Sequence, residues 1–219
     1  MTPTSQLPFI SLDNYQSAPL IDGVVIHPLI RARRGEVDPR GYLVEMFRND
    51  WSDMRYNDIP AVMTYSSFTY TGIARDEDMW HIHPAPGVKA GQEQYDRWTF
   101  IGKAVAVVAN PETKQLNLFQ IGTGWGNKGF YSLLIAPHLY HGFLSAGGVI
   151  DDEGKEGVWI LNWPDQLYNY DNPEIIEGRV PYQGSSILFP SGQEFNWNMV
   201  RNDLGLSTQA RQAFPEKFL

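Results

Sequence analysis

The sequence predicts an all-β fold, a single sandwich or barrel of short strands. Three observations carry that expectation. Short runs of β-branched and aromatic residues recur along the chain, separated by Gly, Pro, Asn and Asp; strands favour the first set and turns need the second. Two of the runs have hairpin spacing, with Asn110-Pro111-Glu112-Thr113 between Trp98–Val108 and Gln115–Ile121. Helical signals are scarce before Asn196.

In chain order, residues 1–22 are rich in Pro, Ser, Asn and Asp and read as an irregular arm. Val24–Ile30 is a strand, and Asp38-Pro39-Arg40-Gly41 is a turn, because proline fixes φ and glycine accepts positive φ. Tyr42–Phe47 alternates as a strand, and Ala61–Ser66 and Phe68–Tyr70 carry strand-favouring side chains. After the hairpin, Phe130–Ile135, Gly142–Leu144 and Val158–Leu161 continue the series. Asn196–Phe214 reads as helix, with Asn202-Asp203-Leu204-Gly205 as its interruption. The expected division is an arm over 1–22, one β domain over 23–190 and a helical tail over 191–219.

Composition bounds the function. A chain of 219 residues, 42% hydrophobic and 19% charged, reads as a soluble globular protein. The net charge of -8 disfavours nucleic acid as the main partner, since phosphate backbones need clustered Lys and Arg. A small anion held by a few arginines remains open. Cysteine is absent, so disulfides and thiolate metal sites are excluded. No apolar run approaches bilayer length, and the N-terminus lacks a signal-peptide pattern. No membrane partner and a cytoplasmic location are expected.

Four of the five histidines fall in two patches, Trp80-His81-Ile82-His83 and Pro137-His138-Leu139-Tyr140-His141-Gly142-Phe143. On a strand, His81 and His83 point to one face, because side chains alternate with period two. His141, on a later strand, is placed to face the same cavity. Two chemistries fit. Imidazole suits proton transfer near neutral pH, and His81, His83 and His141 together offer three nitrogens to a metal. His138 lies an odd number of positions from His141 and is the weaker candidate; His27, before Pro28, reads as structural. Arg40 and Arg75 are candidates for a bidentate anion contact. Asp76-Glu77-Asp78 reads as a solvated loop rather than a Mg²⁺ site.

Several motifs line up in order with a known family. Asp38–Arg48 resembles the D-x-R-G-x-(F/L)-x-E opening of the dTDP-4-dehydrorhamnose 3,5-epimerases. Ser66–Arg75 is similar to that family's S-x-S-x-x-G-V-(L)-R segment, and Ile135–Phe143 to its I-P-x-G-x-A-H-G-F strand. Trp159–Asn172 resembles its tyrosine-rich segment, so the likeness spans roughly residues 23–182. His81-Ile82-His83 is also similar to the His-x-His of the smaller sugar-nucleotide 3,4-ketoisomerases.

The resemblance implies a cupin double-stranded β-helix, or jelly roll, normally a homodimer, acting in deoxysugar metabolism on a nucleotide-linked 4-keto sugar with no cofactor or metal. It implies a histidine that removes the proton next to the ketone, an aspartate that orients it, a lysine for the enolate and a tyrosine that returns a proton. By position, His81 and Tyr168 would be catalytic, and Arg40, Glu45, Arg75 and His141 would bind substrate. Asn162 stands at the position counted for the reprotonating tyrosine. No lysine stands near Tyr95-Asp96-Arg97, which leaves Arg97 as the available cation.

Overall fold

The computed structural model describes residues 7–29, 31–32, 43–75, 77–83, 93–126, 130–167, 179–181, 186–189 and 191–213. Arg40, Tyr42 and Tyr168, with the expected turn at 38–41, lie outside these residues. In chain order the strands are β1 (Phe9–Ser11), β2 (Val24–Leu29), β3 (Arg31–Ala32), β4 (Leu43–Val44), β5 (Tyr65–Tyr70), β6 (Met79–His81) and β7 (Asp96–Ile101). They continue as β8 (Lys103–Ala109), β9 (Leu116–Ile121), β10 (Phe130–Ile135), β11 (Tyr140–Gly147), β12 (Val149–Ile150), β13 (Glu156–Asn162) and β14 (Arg179–Pro181). Helices α1 (Trp197–Leu204) and α2 (Ser207–Ala213) close the described chain.

The strands form two facing sheets in the jelly-roll manner. Sheet A has the order β1-β9-β8-β11-β6-β14. Sheet B has the order β12-β13-β7-β10-β2, with β5 paired along β13. Between them lies an apolar core that includes Trp98, Phe100, Phe119, Leu133 and Phe143. A second cluster covers the outer face of sheet A, where Phe195, Trp197, Val200 and Leu206 of the tail pack on Trp80, Val105, Val107 and Leu144. Each such side chain contributes about 1.5–3 kcal/mol by leaving water, so the tail is part of the fold. A third cluster, with Trp51, Met54, Tyr56 and Trp163, covers the outer face of sheet B.

The expected hairpin forms as β8–β9, with Asn110 Oδ1 accepting from the Glu112 and Thr113 backbone amides at 2.8 and 3.0 Å. The run Trp98–Val108 is two strands rather than one. Gly102 breaks it at φ +105°, and a Cβ there would lie 2.8 Å from the Gly147 carbonyl oxygen. That break passes the chain from sheet B to sheet A. The expected strand over Tyr42–Phe47 is reduced to Leu43–Val44 among the described residues. The arm is more regular than its composition implies: β1 pairs in parallel with β9, and Leu12 and Ile21 are fully buried. Asn117 explains this, since its Oδ1 accepts from Ile21 N at 2.9 Å and its Nδ2 donates to Pro19 O at 3.1 Å. The tail helix is interrupted as expected. The Asn196 side chain caps α1, and Gly205 ends it in the left-handed region at φ 69°.

Candidate active site

Strand β6 carries the first histidine. Its alternation sends Trp80 outward under the tail, where the ring stacks on Tyr140 at 5.6 Å and on Phe195 at 5.4 Å. His81 therefore faces inward, and its backbone pairs directly with His141 on β11. The two imidazoles stack with centroids 5.0 Å apart and planes 19° apart. His83 lies 4.6 Å from His81 and 5.5 Å from His141, centroid to centroid. The expected gathering of His81, His83 and His141 on one face is present. His141 and His83 are buried, whereas His81 is intermediate and the most accessible of the three.

Facing them from sheet B is a carboxylate that no sequence motif singles out. Asp96, the first residue of β7, is 3% exposed. Its Oδ2 lies 3.2 Å from His141 Nε2 and 3.5 Å from His83 Nε2. The His141 approach is poorly aligned for a hydrogen bond, yet at this distance the ring still favours the ionised carboxylate. Asp96 Oδ1 accepts from Asn162 Nδ2 at 2.6 Å and from Gln94 Nε2 at 2.9 Å. Burial alone would raise this carboxyl, but His141, His83 and Asn162 outweigh it and hold Asp96 well below the usual carboxylate range. His141 Nδ1 faces the Leu139 carbonyl oxygen at 2.9 Å, which can accept but not donate. Nδ1 therefore carries a proton, and Nε2 is the nitrogen turned to Asp96.

The hydrogen bonds fix the orientation of Asn162. Its Oδ1 accepts from the Arg97 backbone amide at 2.9 Å, so its Nδ2 must serve both Asp96 and Tyr65 Oη, the latter at 2.9 Å. Pairing places these residues on one face: Asn162 lies opposite Tyr65 and opposite Trp98, and Trp98 is two residues from Asp96. The Trp98 ring meets His141 edge to face at 5.3 Å.

Arg97 goes the other way. It is fully buried on the outer face of β7, and its Nε, Nη1 and Nη2 donate to the Met54, Trp163 and Ile59 carbonyl oxygens at 2.8, 3.1 and 2.6 Å. Its guanidinium sits over the Tyr56 ring at 4.4 Å. The expectation that Arg97 takes the enolate-binding position is therefore corrected: strand alternation turns it away from the histidines. Arg75 is held on β5, through Thr69 Oγ1 at 2.9 Å and the Phe68 carbonyl oxygen at 3.1 Å. Glu45 forms a surface pair with Arg48 at 3.3 Å. His138 is exposed in a turn, 3.7 Å from Glu93. His27 is structural, with Nδ1 2.6 Å from Asp53 Oδ2 and its ring against Trp51. Glu77, in the acidic run, is neither a solvated charge nor a cation ligand; it pairs with buried Arg201 of α1.

The three imidazoles also satisfy the minimum for a metal site, with donor nitrogens within 4.8 Å of one another. A bound zinc would hold all three nitrogens about 2.0–2.1 Å from one point, and rings at these spacings can supply such a set. Asp96 already engages two of the three.

No protein-family model matches the chain. A curated relative, the probable low-salt glycan biosynthesis epimerase Agl13 of Haloferax volcanii, is 29% identical over 159 residues, covering 70% of this chain and 85% of that protein. Among solved structures, the 3'-monoepimerase ChmJ of Streptomyces bikiniensis, crystallised with dTDP, aligns with a TM-score of 0.53 at 15% identity. That alignment covers 89% of this chain and 96% of the monoepimerase. The rmlC epimerase of Mycobacterium tuberculosis aligns over 90% of this chain and 96% of its own, with a TM-score of 0.49 and 15% identity. The fold is thus the cupin-type jelly roll of the sugar-nucleotide epimerases. In sequence the chain is similar to a glycan biosynthesis epimerase, and in fold to a sugar-nucleotide monoepimerase.

Proposed function

We propose that the protein is a sugar-nucleotide epimerase or isomerase that takes a dTDP-4-keto-deoxyhexose and removes the proton next to the ketone. His81 is the base. The observation that supports this reading is the face-to-face arrangement of His81, His83 and His141 against buried Asp96. His81 is the least buried residue of the set, although its Nε2 is buried, and it stacks on a neighbour whose tautomer is fixed by the Leu139 carbonyl. With Arg97 turned outward and both His141 nitrogens turned to Leu139 and Asp96, His83 is the imidazole placed to donate to the developing enolate oxygen. Fixed donors at such an oxygen lower the barrier to proton removal.

Arg75 and Glu45 remain our candidates for contacts to the nucleotide and diphosphate, together with Arg40, and Tyr168 remains a candidate catalytic residue. A cytoplasmic homodimer goes with this reading. Support for self-association comes from an apolar row on sheet B, where exposed Trp159 lies between half-buried Phe68 and exposed Ile101. No helix among the described residues is long and apolar enough to cross a membrane.

The test is proton exchange. Incubated in D₂O with a dTDP-4-keto-6-deoxyhexose, the protein should place deuterium on the carbon next to the ketone, read by NMR. No exchange on that sugar would refute the reading for it. The spacing of the three histidines favours one second reading, a metal-dependent enzyme using His81, His83 and His141. One equivalent of a transition metal in the purified protein, with activity lost on chelation, would replace the first reading by the second.

A further inference from the structure

Tyr65 belongs to this site, although no motif led to it. It is the first residue of β5, lies directly across from Asn162, and is 42% exposed, whereas Asn162 and Asp96 are buried. A polar chain runs from its hydroxyl through Asn162 Nδ2 to Asp96 and on to His141 and His83. The direction of the first link matters. Asn162 Oδ1 is taken by the Arg97 amide, so Nδ2 is the donor and Tyr65 Oη the acceptor. A phenol oxygen that accepts from a fixed amide must aim its own hydrogen elsewhere. The same amide stabilises the oxygen once that hydrogen has gone.

Position supports a role for that hydrogen. His81 and His141 rise from sheet A, whereas Tyr65 and Asn162 rise from sheet B. Paired positions put Tyr65, Asn162 and Trp98 on one face of sheet B, and the Trp98 ring touches His141. A planar enolate held between the sheets would have imidazole on one side and phenol on the other.

Resting on the reading of the site as a proton-transferring epimerase, we propose that Tyr65 is its general acid and delivers the proton from the face opposite His81. The proton transfers balance without a redox partner. The C–H bond next to the ketone breaks, its proton goes to His81, and the electron pair moves into the enolate. A new C–H bond forms with the Tyr65 proton, leaving a phenolate held by Asn162. Tyr65, half-exposed at the start of β5, takes its proton back from water, and His81 releases its proton to water.

The test is Tyr65→Phe, which keeps the ring and removes the hydroxyl, followed in D₂O by NMR. In this variant His81 still removes and returns a proton on its own face. Deuterium exchange into the starting sugar should stay within a few-fold of wild type, while inverted product forms about 100-fold more slowly, the low end of what a positioned acid contributes. An unchanged thermal midpoint shows that the variant folds. Inverted product at the wild-type rate overturns the role of Tyr65 and leaves the epimerase reading intact. A wild type that neither exchanges nor inverts overturns both.

Discussion

Strand β7 buries two opposite charges side by side and treats them differently. Arg97 faces outward into a wall of carbonyl oxygens from Met54, Ile59 and Trp163. Those partners cannot titrate or move, so its charge is locked into the fold. Asp96 faces inward, to His83, His141, Gln94 and Asn162. Two of those partners are imidazoles, whose ring nitrogens can donate or accept a proton. The same degree of burial thus serves structure on one face and adjustable electrostatics on the other. A buried charge is a candidate for chemistry when its partners are proton-carrying side chains rather than backbone carbonyls.

The outer face should show the largest loss of stability. Arg97→Met should lower the unfolding free energy by about 3 kcal/mol or more, because three carbonyls lose their donor at roughly 1 kcal/mol or more each. Urea denaturation measures this, and the surviving folded protein should exchange substrate protons at near the wild-type rate. A stable but inactive Arg97→Met would erase the distinction between the two faces.

On the inner face, Asp96→Asn should leave the protein folded and reduce exchange about 100-fold, because an amide cannot neutralise or orient His83 and His141. Wild-type exchange in this variant would leave Asp96 with a structural role alone.

The smallest effect is in pH. The Asp96 carboxyl is held below its ordinary range in the folded state, so the unfolded chain binds its proton more readily. Its contribution to stability is then complete above an unfolded carboxylate pKa near about 4 and is lost as the pH falls from there through the folded value. Denaturation of wild type and Asp96→Asn should differ most above pH about 5 and converge in stronger acid. A difference that grew on acidification would reverse the sign of the argument.

Period-two alternation made much of this site legible. It put His81 and His83 on one face, and the later strand brought His141 opposite. The same rule, applied to the neighbours Asp96 and Arg97, sends them to opposite faces, so only one of the two can reach the histidines. Asp96 itself carried a weaker signal, a lone acid opening an apolar strand. Asn162 and Tyr65 were harder still, since their link depends on the register of β5 against β13, a contact between residues 97 apart in sequence. The packing of Trp80 under Phe195 likewise depends on where the tail returns. The β1 strand was missed because three residues are too few to show a period.

The most direct test of the account compares the two faces in one assay. His81→Ala and Arg97→Met, each normalised to its folded fraction, are followed for deuterium incorporation next to the ketone of a dTDP-4-keto-6-deoxyhexose. The account predicts that His81→Ala loses at least about 100-fold, while Arg97→Met stays near wild type. Unimpaired exchange by folded His81→Ala would contradict it and move the base elsewhere.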